Sequence, residues 1–515
     1  MANSINDIYL YDKKMKDASA YNIAMAYPAC ESFALSSLGY MWLSKLLDED
    51  ENFRLTQVYT DTKEYPNKNK LEAISFSISY EIDFMGVFEV LEKLRISPFS
   101  KDREDVFVFA GGPVITSNPM PFANVFDFML IGDGENLLKD VLLKMKQLRG
   151  APRENILKAL AEINGVYVPS LNNSTKKITE PLTTCVHTPV ISEKSYFSNT
   201  FIIEVERGCY NRCGFCLASY LNLPVRYVEY DEIISKIEFA LQYTNSIALL
   251  GAQVSAHPRF ADICAYLIER IESGENIDVN FSSLRVDAVN EQVINLLKVS
   301  GQKTFTVAIE ASTDRLRKVI NKNLREEQLF KALQYAYDGG MQGVKVYCML
   351  GLPTETQEDI AGFVDVAKRL KGLFKRFDIT FSFSTFVPKP HTPFQWVSRE
   401  ENSSLEKKEK FLSKELSRIG VKSKFSSVKW DYYQTLISRG DDTLGEYLYE
   451  VYKQGGKIGV YKSLAKKLGL NTDYFVLKQY SLDEDLPWDN IIIENPGKEV
   501  LKNEYKRLMK KSDLG

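Results

Sequence analysis

The chain has 515 residues with 65 basic and 68 acidic side chains, a formal net charge of −3, and 44% hydrophobic residues. That length exceeds one ordinary hydrophobic core, so two or three domains are expected. The charge balance excludes a global basic field for nucleic acid, although it leaves room for a local basic patch.

The opening MANSINDIYLYDKKMKD lacks the apolar core of a signal peptide. No apolar run approaches the roughly 18 residues that a membrane span needs, and the expected location is cytoplasmic. Seven cysteines are too few for a disulfide framework. Cys30, Cys185, Cys264 and Cys348 are scattered and read as small core hydrophobes. Cys209, Cys213 and Cys216 are clustered, which in a reducing compartment points to metal or redox chemistry.

In chain order, NIAMAYPA (22–29), AISFSISY (73–80), VFVFAGGP (106–113) and FMLIGDG (128–134) read as buried strands, with helical spacing between them in stretches such as FMGVFEVLEKL. This alternation predicts a Rossmann-like, doubly wound parallel sheet. Two strands run into glycine turns, Gly111-Gly112 and Gly132-Asp133-Gly134. Such turns lie at the carboxyl ends of strands, where ligands bind; they are candidate binding loops or simply tight turns.

A second alternation starts at Phe201. Its strands are expected at 201–206, 246–251, 278–283, 304–310, 343–350 and 378–386. Six βα units suit a partial or full parallel barrel of TIM type, with its chemistry at the carboxyl strand ends. From residue 401 the pattern turns to charged helical segments. The expected division is 1–190 for the Rossmann-like domain and its connection, 191–400 for the barrel, and 401–515 for a mostly helical region.

The cysteines stand in Cys209-Tyr-Asn-Arg-Cys213-Gly-Phe-Cys216, directly after the first barrel strand. Thiolates are the usual ligands of iron–sulfur clusters. Three of them hold three corners of a cubane and leave one iron open to another ligand. A structural zinc site needs a fourth ligand. The three histidines, His187, His257 and His391, all lie away from the triplet in sequence, so zinc would need a distant partner. A plain electron-transfer cluster stays open as well.

Cys-x3-Cys-x2-Cys after a strand, with Phe215 before the last cysteine, resembles the radical S-adenosylmethionine superfamily. The resemblance implies a partial (β/α)6 barrel and a [4Fe-4S] cluster whose open iron binds S-adenosylmethionine and yields a 5′-deoxyadenosyl radical. It also implies a reducing partner such as flavodoxin or ferredoxin. Phe215 matches the position that packs near the adenine. Gly251 and Gln253 fall where the family carries Gly-Gly-Glu, with only the first glycine kept. Glu310 ends the fourth strand as a candidate acceptor for the ammonium or ribose, or as a charge favoured at a helix start. Leu350 lies in the segment before Gly351-Leu-Pro-Thr-Glu355, which resembles the family's adenine-reading region.

GGPVITSNPMPF, IGDGE, FVPKPHTPFQW, SRGDDTLG and LPWD resemble a narrower group that carries an amino-terminal cobalamin-binding-like domain. Residues 1–186 contain no histidine, which rules out a histidine lower ligand from that domain. Either cobalamin binds without one, held by Gly111, Gly112, Gly132 and Gly134, or the domain serves a substrate or partner. His391 is expected at the barrel mouth, hydrogen-bonding substrate, bridging to the first domain or fixing the chain path. Arg439 and Asp441 are expected to cap the barrel, hold an anion, or serve as local caps and ion pairs.

The resulting reading is a cobalamin-dependent methyltransferase on an unknown substrate. Its alternatives are a cobalamin-independent radical enzyme (rearrangement, sulfur insertion or cyclisation) and a non-catalytic iron–sulfur protein.

Overall fold

Apolar runs of the first region form one six-stranded sheet, described in a computed structural model that covers residues 7–281 and 284–511. Its strands are β1 (Tyr21–Ala26), β2 (Phe53–Val58), β3 (Ala73–Ser77), β4 (Phe107–Gly111), β5 (Phe128–Leu130) and β6 (Val166–Tyr167). They lie in the order β2-β1-β3-β4-β5-β6, all parallel except β6. The order reverses between β1 and β3, so a ligand crevice belongs at the carboxyl ends of those two strands.

The pleat sends alternate residues to opposite faces. Met25, Phe109 and Phe128 join one buried cluster with helices α1 (Leu38–Asp48) and α3 (Leu137–Gln147). Ala24, Ile74, Val108 and Met129 join another with α2 (Phe84–Lys93). The edge strand β2 lies outside the expected set. Its sequence, FRLTQV, buries only its terminal Phe53 and Val58. An edge strand needs no continuous apolar run.

The Gly132 turn is fixed by close backbone approach, whereas Gly150 stands in open space. Gly132 has φ +112°, and a Cβ there would sit 2.1 Å from the carbonyl oxygen of Ile178. Gly150 has φ +86° with nothing within 4 Å. Gly132→Ala is therefore expected to cost roughly 2–4 kcal/mol and Gly150→Ala only about 1 kcal/mol. Thermal unfolding of the two variants side by side checks the contrast; equal losses would show that the Ile178 contact does not matter.

The second region contains β7 (Thr200–Glu204), β8 (Ser246–Leu250), β9 (Asp278–Phe281), β10 (Thr304–Glu310), β11 (Gly343–Leu350), β12 (Asp378–Thr385) and β13 (Lys422–Phe425). Two of the residues expected in the third strand, 282 and 283, lie outside the described residues. The strands run parallel in sequential order as two groups, β7-β8-β9 and β10-β11-β12-β13. A bridge between Leu284 and Val307 links the groups. This is the order of a partial (β/α) barrel. Five helices, α4 (Tyr230–Ala240), α5 (Phe260–Glu272), α6 (Glu291–Val299), α7 (Glu326–Asp338) and α8 (Gln357–Leu373), separate the first six strands. Helix α9 (Asn402–Arg418) then leads into β13. That seventh strand, KSKF, alternates exposed and half-buried residues at the sheet edge, so its sequence carries little strand signal.

Helices α10 (Val428–Arg439), α11 (Leu444–Lys453) and α12 (Ile458–Leu468) fold back on the first sheet. Tyr433, Leu436, Tyr447 and Tyr461 share the buried cluster of Phe84 and Ile74. Arg439 is wholly buried and donates to the carbonyls of Val476 (3.3 Å) and Lys478 (2.9 Å), with its guanidinium 4.2 Å over Tyr480. Asp441 accepts from the Thr443 backbone N–H at 3.0 Å. Both residues thus serve local structure. Among the described residues, no helix is long and apolar enough to cross a membrane.

Candidate functional site

The cysteine loop leaves the end of β7 and is tied at its base. Glu206 and Arg207 pair antiparallel with Tyr227 and Arg226. Gly208 has φ +96°, where a Cβ would meet the Asn222 carbonyl oxygen at 2.6 Å. Inside the loop Cys209 and Cys213 are buried and Cys216 is half-buried. The Cys216 backbone N–H donates to the Cys213 carbonyl at 3.0 Å. Burial pushes the Cys213 thiol up to about 12 and raises Cys216 as well, with the neighbouring thiols adding to the shift in each. In the apoprotein burial thus favours the protonated forms of Cys213 and Cys216.

Among the described residues, no group of three or more His, Cys, Asp or Glu side chains is gathered tightly enough for a single metal ion. Thiolates on three different irons of a cubane stand farther apart than three on one ion. The donor set, three thiols on one loop, fits a cluster with one open corner.

Two cations adjoin the thiols. Lys322, 7% exposed, pairs with Glu310 at 3.0 Å. Burial works against its charge, but Glu310 and Cys213 outweigh that and hold it above its ordinary value. Arg285, bidentate to Asp287 at 2.9 and 2.8 Å, feels Cys213 and Cys209. Positive charge here favours the anionic thiolates and the reduced state of a cluster. Neither cation was singled out in the sequence, because Arg285 follows the end of β9 while Lys322 follows a short helix, Asp314–Val319, beyond β10.

Gly251 and Gln253 end β8 beside the loop. A Cβ on Gly251 would meet Glu206 Cγ at 2.4 Å. The Gln253 backbone N–H donates to the Glu206 carboxylate, and the Gln253 side-chain oxygen accepts from Asn211. Glu206 is 2% exposed, and burial lifts it to about 7. It is a carboxylate missed at the sequence level, because Glu-Arg-Gly-Cys reads as a strand end.

Glu310 sits at an irregularity of the β10–β11 pairing with φ +63°. A bulge of this kind re-aims a side chain, and a left-handed non-glycine residue marks stored strain. Phe215 packs with Ala311, Met349 and Leu352, so the cysteine loop meets the ends of β10 and β11. Leu350 is fully buried. The following Gly351 N–H donates to both Glu355 carboxylate oxygens at 3.0 and 3.1 Å. Lys408 in turn pairs with Glu355 and Glu400 at 2.6 Å each.

The four amino-terminal glycines are brought together elsewhere. Gly111, Gly112, Gly132 and Gly134 line a cavity of about 370 Å3 over the carboxyl ends of β1, β3, β4 and β5. Ser75, Ser77 and Ser79 form its small-residue floor on the switch-point strand and beyond, and the Ser75 hydroxyl is buried without a hydrogen-bond partner. Glu204, Arg207 and Leu250, from the ends of the first two barrel strands, complete the wall. Arg207 joins the two halves: it pairs with Asp133 at 3.2 Å and with Glu135 and Glu204 at 2.8 Å. Arg226 adds a second bridge to Asp133 at 2.6 Å. Among the described residues, the lining contains neither histidine nor cysteine.

His391, at φ +57° and 8% exposed, faces the backbone of Ser117 in the first region. Burial pushes its imidazole down to about 3, and His187 down to about 4. The folded protein keeps both rings neutral where the unfolded chain would charge them, so protons are taken up on unfolding. Their stabilising share is present above pH 6.5 and lost progressively as pH falls toward 4 for His187 and toward 3 for His391. His391→Asn, which tolerates left-handed backbone, is expected to flatten the acid slope of the unfolding temperature across that window. An unchanged slope would contradict the assignment.

Two family models match the chain: the amino-terminal region of radical SAM proteins over residues 45–169 and the radical SAM superfamily over 203–367. The Methanocaldococcus jannaschii protein MJ0966 is 29% identical over 433 residues, covering 83% of this chain and 90% of its own. Among solved structures, the radical S-adenosylmethionine methyltransferase TsrM of Kitasatospora setae superposes with a TM-score of 0.51 at 13% identity, covering 71% of this chain and 73% of its own. The cobalamin-dependent S-adenosylmethionine radical enzyme OxsB gives 0.51 at 15% identity, covering 96% of this chain and 80% of its own. Cysteine loop, strand order and matched segments agree, and the chain belongs to the radical S-adenosylmethionine superfamily.

Proposed function

We propose that the protein is a cobalamin-dependent radical S-adenosylmethionine methyltransferase. The observation that carries this reading is the cavity at the switch point, whose wall is shared between the first sheet and the first two barrel strands. A corrinoid there would lie between the glycine turns and the strand ends that border the cysteine loop. TsrM and OxsB, alike in fold, are named as a methyltransferase and as a cobalamin-dependent enzyme.

When bound, the cluster supplies an electron to S-adenosylmethionine and the corrinoid supplies a transferable methyl group. On this reading Cys209, Cys213 and Cys216 hold three irons and leave the fourth for the methionine end of the cofactor. Gly251 and Gln253 place backbone beside that iron. Glu206 and Glu310 are the carboxylates available to its ammonium and ribose. Phe215 and Leu350 give an apolar wall for the adenine. Gly111, Gly112, Gly132 and Gly134 line the cavity that would hold the macrocycle, and glycine is needed at Gly112 and Gly132 because a Cβ there would strike the Ile78 and Ile178 carbonyls. Among the described residues the cavity lining contains no histidine, so a corrinoid held there would be bound without an imidazole from the lining.

The test is a titration of the anaerobically reconstituted protein with hydroxocobalamin, followed by product analysis after reduction. A bound corrinoid spectrum, together with 5′-deoxyadenosine and S-adenosylhomocysteine, is expected. Cleavage of S-adenosylmethionine with no corrinoid bound would reject the methyltransferase assignment and leave a different radical reaction.

A further inference from the structure

We infer that the inner face of β11, β12 and β13 is the binding site for a phosphate group on the substrate, well away from the reacting carbon. The inference rests on the reading above and names the substrate class for it, an elongated phosphate ester. In these strands Val344, Val346, Phe381 and Phe383 are buried in one cluster with the outer helices α7, α8 and α9. The pleat therefore turns the residues between them inward, away from those helices. Layers of side chains fill the inside of a closed TIM barrel. Here the inner positions stay open. Tyr347 is 37% exposed, Lys422 and Lys424 are exposed, and Lys345, Thr380 and Ser382 are half-buried.

Strand register sets these six side chains in two rows. Lys345 stands beside Thr380, and Thr380 beside Lys422; nearer the strand ends, Tyr347 stands beside Ser382, and Ser382 beside Lys424. Two hydroxyls on β12 thus lie between one lysine on β11 and two on β13. Neighbouring strands are about 4.8 Å apart, so a lysine on either flank reaches an anion lying over β12. The Lys345 ammonium donates to the Tyr347 hydroxyl at 3.1 Å and lies 4.6 Å over its ring. Lys422 pairs with Asp378 at 3.6 Å, whereas among the described residues Lys345 and Lys424 make no ion pair. Glu310, at the end of β10, is already paired with Lys322. On a chain of net charge −3, unpaired positive charge on an open inner face points to an anionic ligand. Lysine binds phosphate as a point charge, whereas a planar carboxylate is matched by the fork of arginine. No arginine stands in either row.

The depth of the rows sets the length of the substrate. Phe215 of the cysteine loop packs with Met349 at the end of β11, and Leu350 closes that strand. Tyr347 and Lys345 precede Leu350 along the same strand, which at about 3.3 Å per residue puts them roughly 10 and 16 Å below the strand ends. A substrate with its reacting carbon at the strand ends and its phosphate over the two rows therefore carries an arm of about 10–16 Å. Binding energy from such a remote group positions the reacting centre without touching the bond that changes. The contact is non-covalent, and no bond is made or broken at this face.

Inorganic pyrophosphate, succinate and an RNA hairpin are titrated calorimetrically into the full chain and into Lys345→Gln/Lys424→Gln. A control pair, Lys462→Gln/Lys466→Gln, alters exposed positions of α12. These titrations need no cluster. Expected results are pyrophosphate binding that weakens with salt, a loss of about tenfold or more in the Lys345/Lys424 variant, and no change in the control. Acetylation of Lys345 and Lys424 in wild type, mapped by mass spectrometry, should be blocked by pyrophosphate; this readout stands even if the double variant fails to fold. A wild type that does not bind pyrophosphate, a variant that binds it equally, or lysines left unprotected overturns the proposal. Succinate bound as tightly would overturn it in favour of a carboxylate. An RNA hairpin bound more tightly, and lost in the same variant, would overturn it in favour of nucleic acid. If the reduced, reconstituted wild type cleaves no S-adenosylmethionine, the radical-enzyme reading sinks instead, and the anion titration still decides this face.

Discussion

Cys213→Ala is expected to give a folded protein that retains almost no iron after anaerobic reconstitution. Cys213 is 6% exposed in a loop braced by Asn321, Gly208 and the Glu206–Tyr227 ladder. None of those braces depends on the sulfur, so loss of one buried atom should cost about 1 kcal/mol of stability. The chemical loss is far larger. Two thiolates hold two corners of a cubane and leave two irons open, whereas three leave one. Iron should fall from about four per chain to near zero, and dithionite should release no 5′-deoxyadenosine from S-adenosylmethionine. Cys348→Ala is the matched control. Cys348 is 1% exposed on β11, and its loss should spare both readouts. Full iron and cleavage in Cys213→Ala would remove the basis of the functional assignment.

The second large effect is expected at Arg207. Its guanidinium, 15% exposed, answers Asp133, Glu135 and Glu204 at once. Burial alone would disfavour its charge, but these carboxylates outweigh burial and strengthen it. Asp133, despite its own burial, is held below the usual carboxylate range by Arg207 and Arg226. Arg207→Ala leaves these half-buried carboxylates facing one another. The expected loss is roughly 2–4 kcal/mol, below the figure for a fully buried pair because water reaches the network. Stability from a carboxylate held low is present above its unfolded value and fades as pH falls through the folded one. The gap to wild type should therefore be full at neutral pH and close below about pH 4. Arg207→Lys should recover only part, since one ammonium cannot span three carboxylates. Hydroxocobalamin affinity should fall in parallel, because the Gly132 turn loses its tie to the cysteine loop. A variant as stable as wild type at pH 7 would show that Arg226 alone holds the junction.

The sequence made legible what is local. The triplet spacing, the glycine turns after β4 and β5, and the alternation of apolar runs all sit within windows of a dozen residues. Edge strands escaped: FRLTQV and KSKF face water along much of their length. The charged frame of the site escaped for another reason. Glu206 and Arg285 follow separate strand ends and Lys322 follows a short helix, and only the closed arrangement brings them beside the thiols. Glu310 was legible as a strand-end carboxylate, but the bulge that turns it was not. Nor did anything local foretell that α13 (Lys498–Met509) would seat Leu508 against Gly214.

The return of α10, α11 and α12 to the first sheet bears on how the chain is made. A ribosome delivers β1 to β6 early, yet Tyr433, Tyr447 and Tyr461, which cover one face of that sheet, arrive hundreds of residues later. Until then Phe84, Ile74 and their neighbours await a lid that does not yet exist, the kind of exposed apolar face that invites aggregation. The first sheet matures only when synthesis is nearly over, so the apparent order of domains along the sequence is not the order in which they become complete.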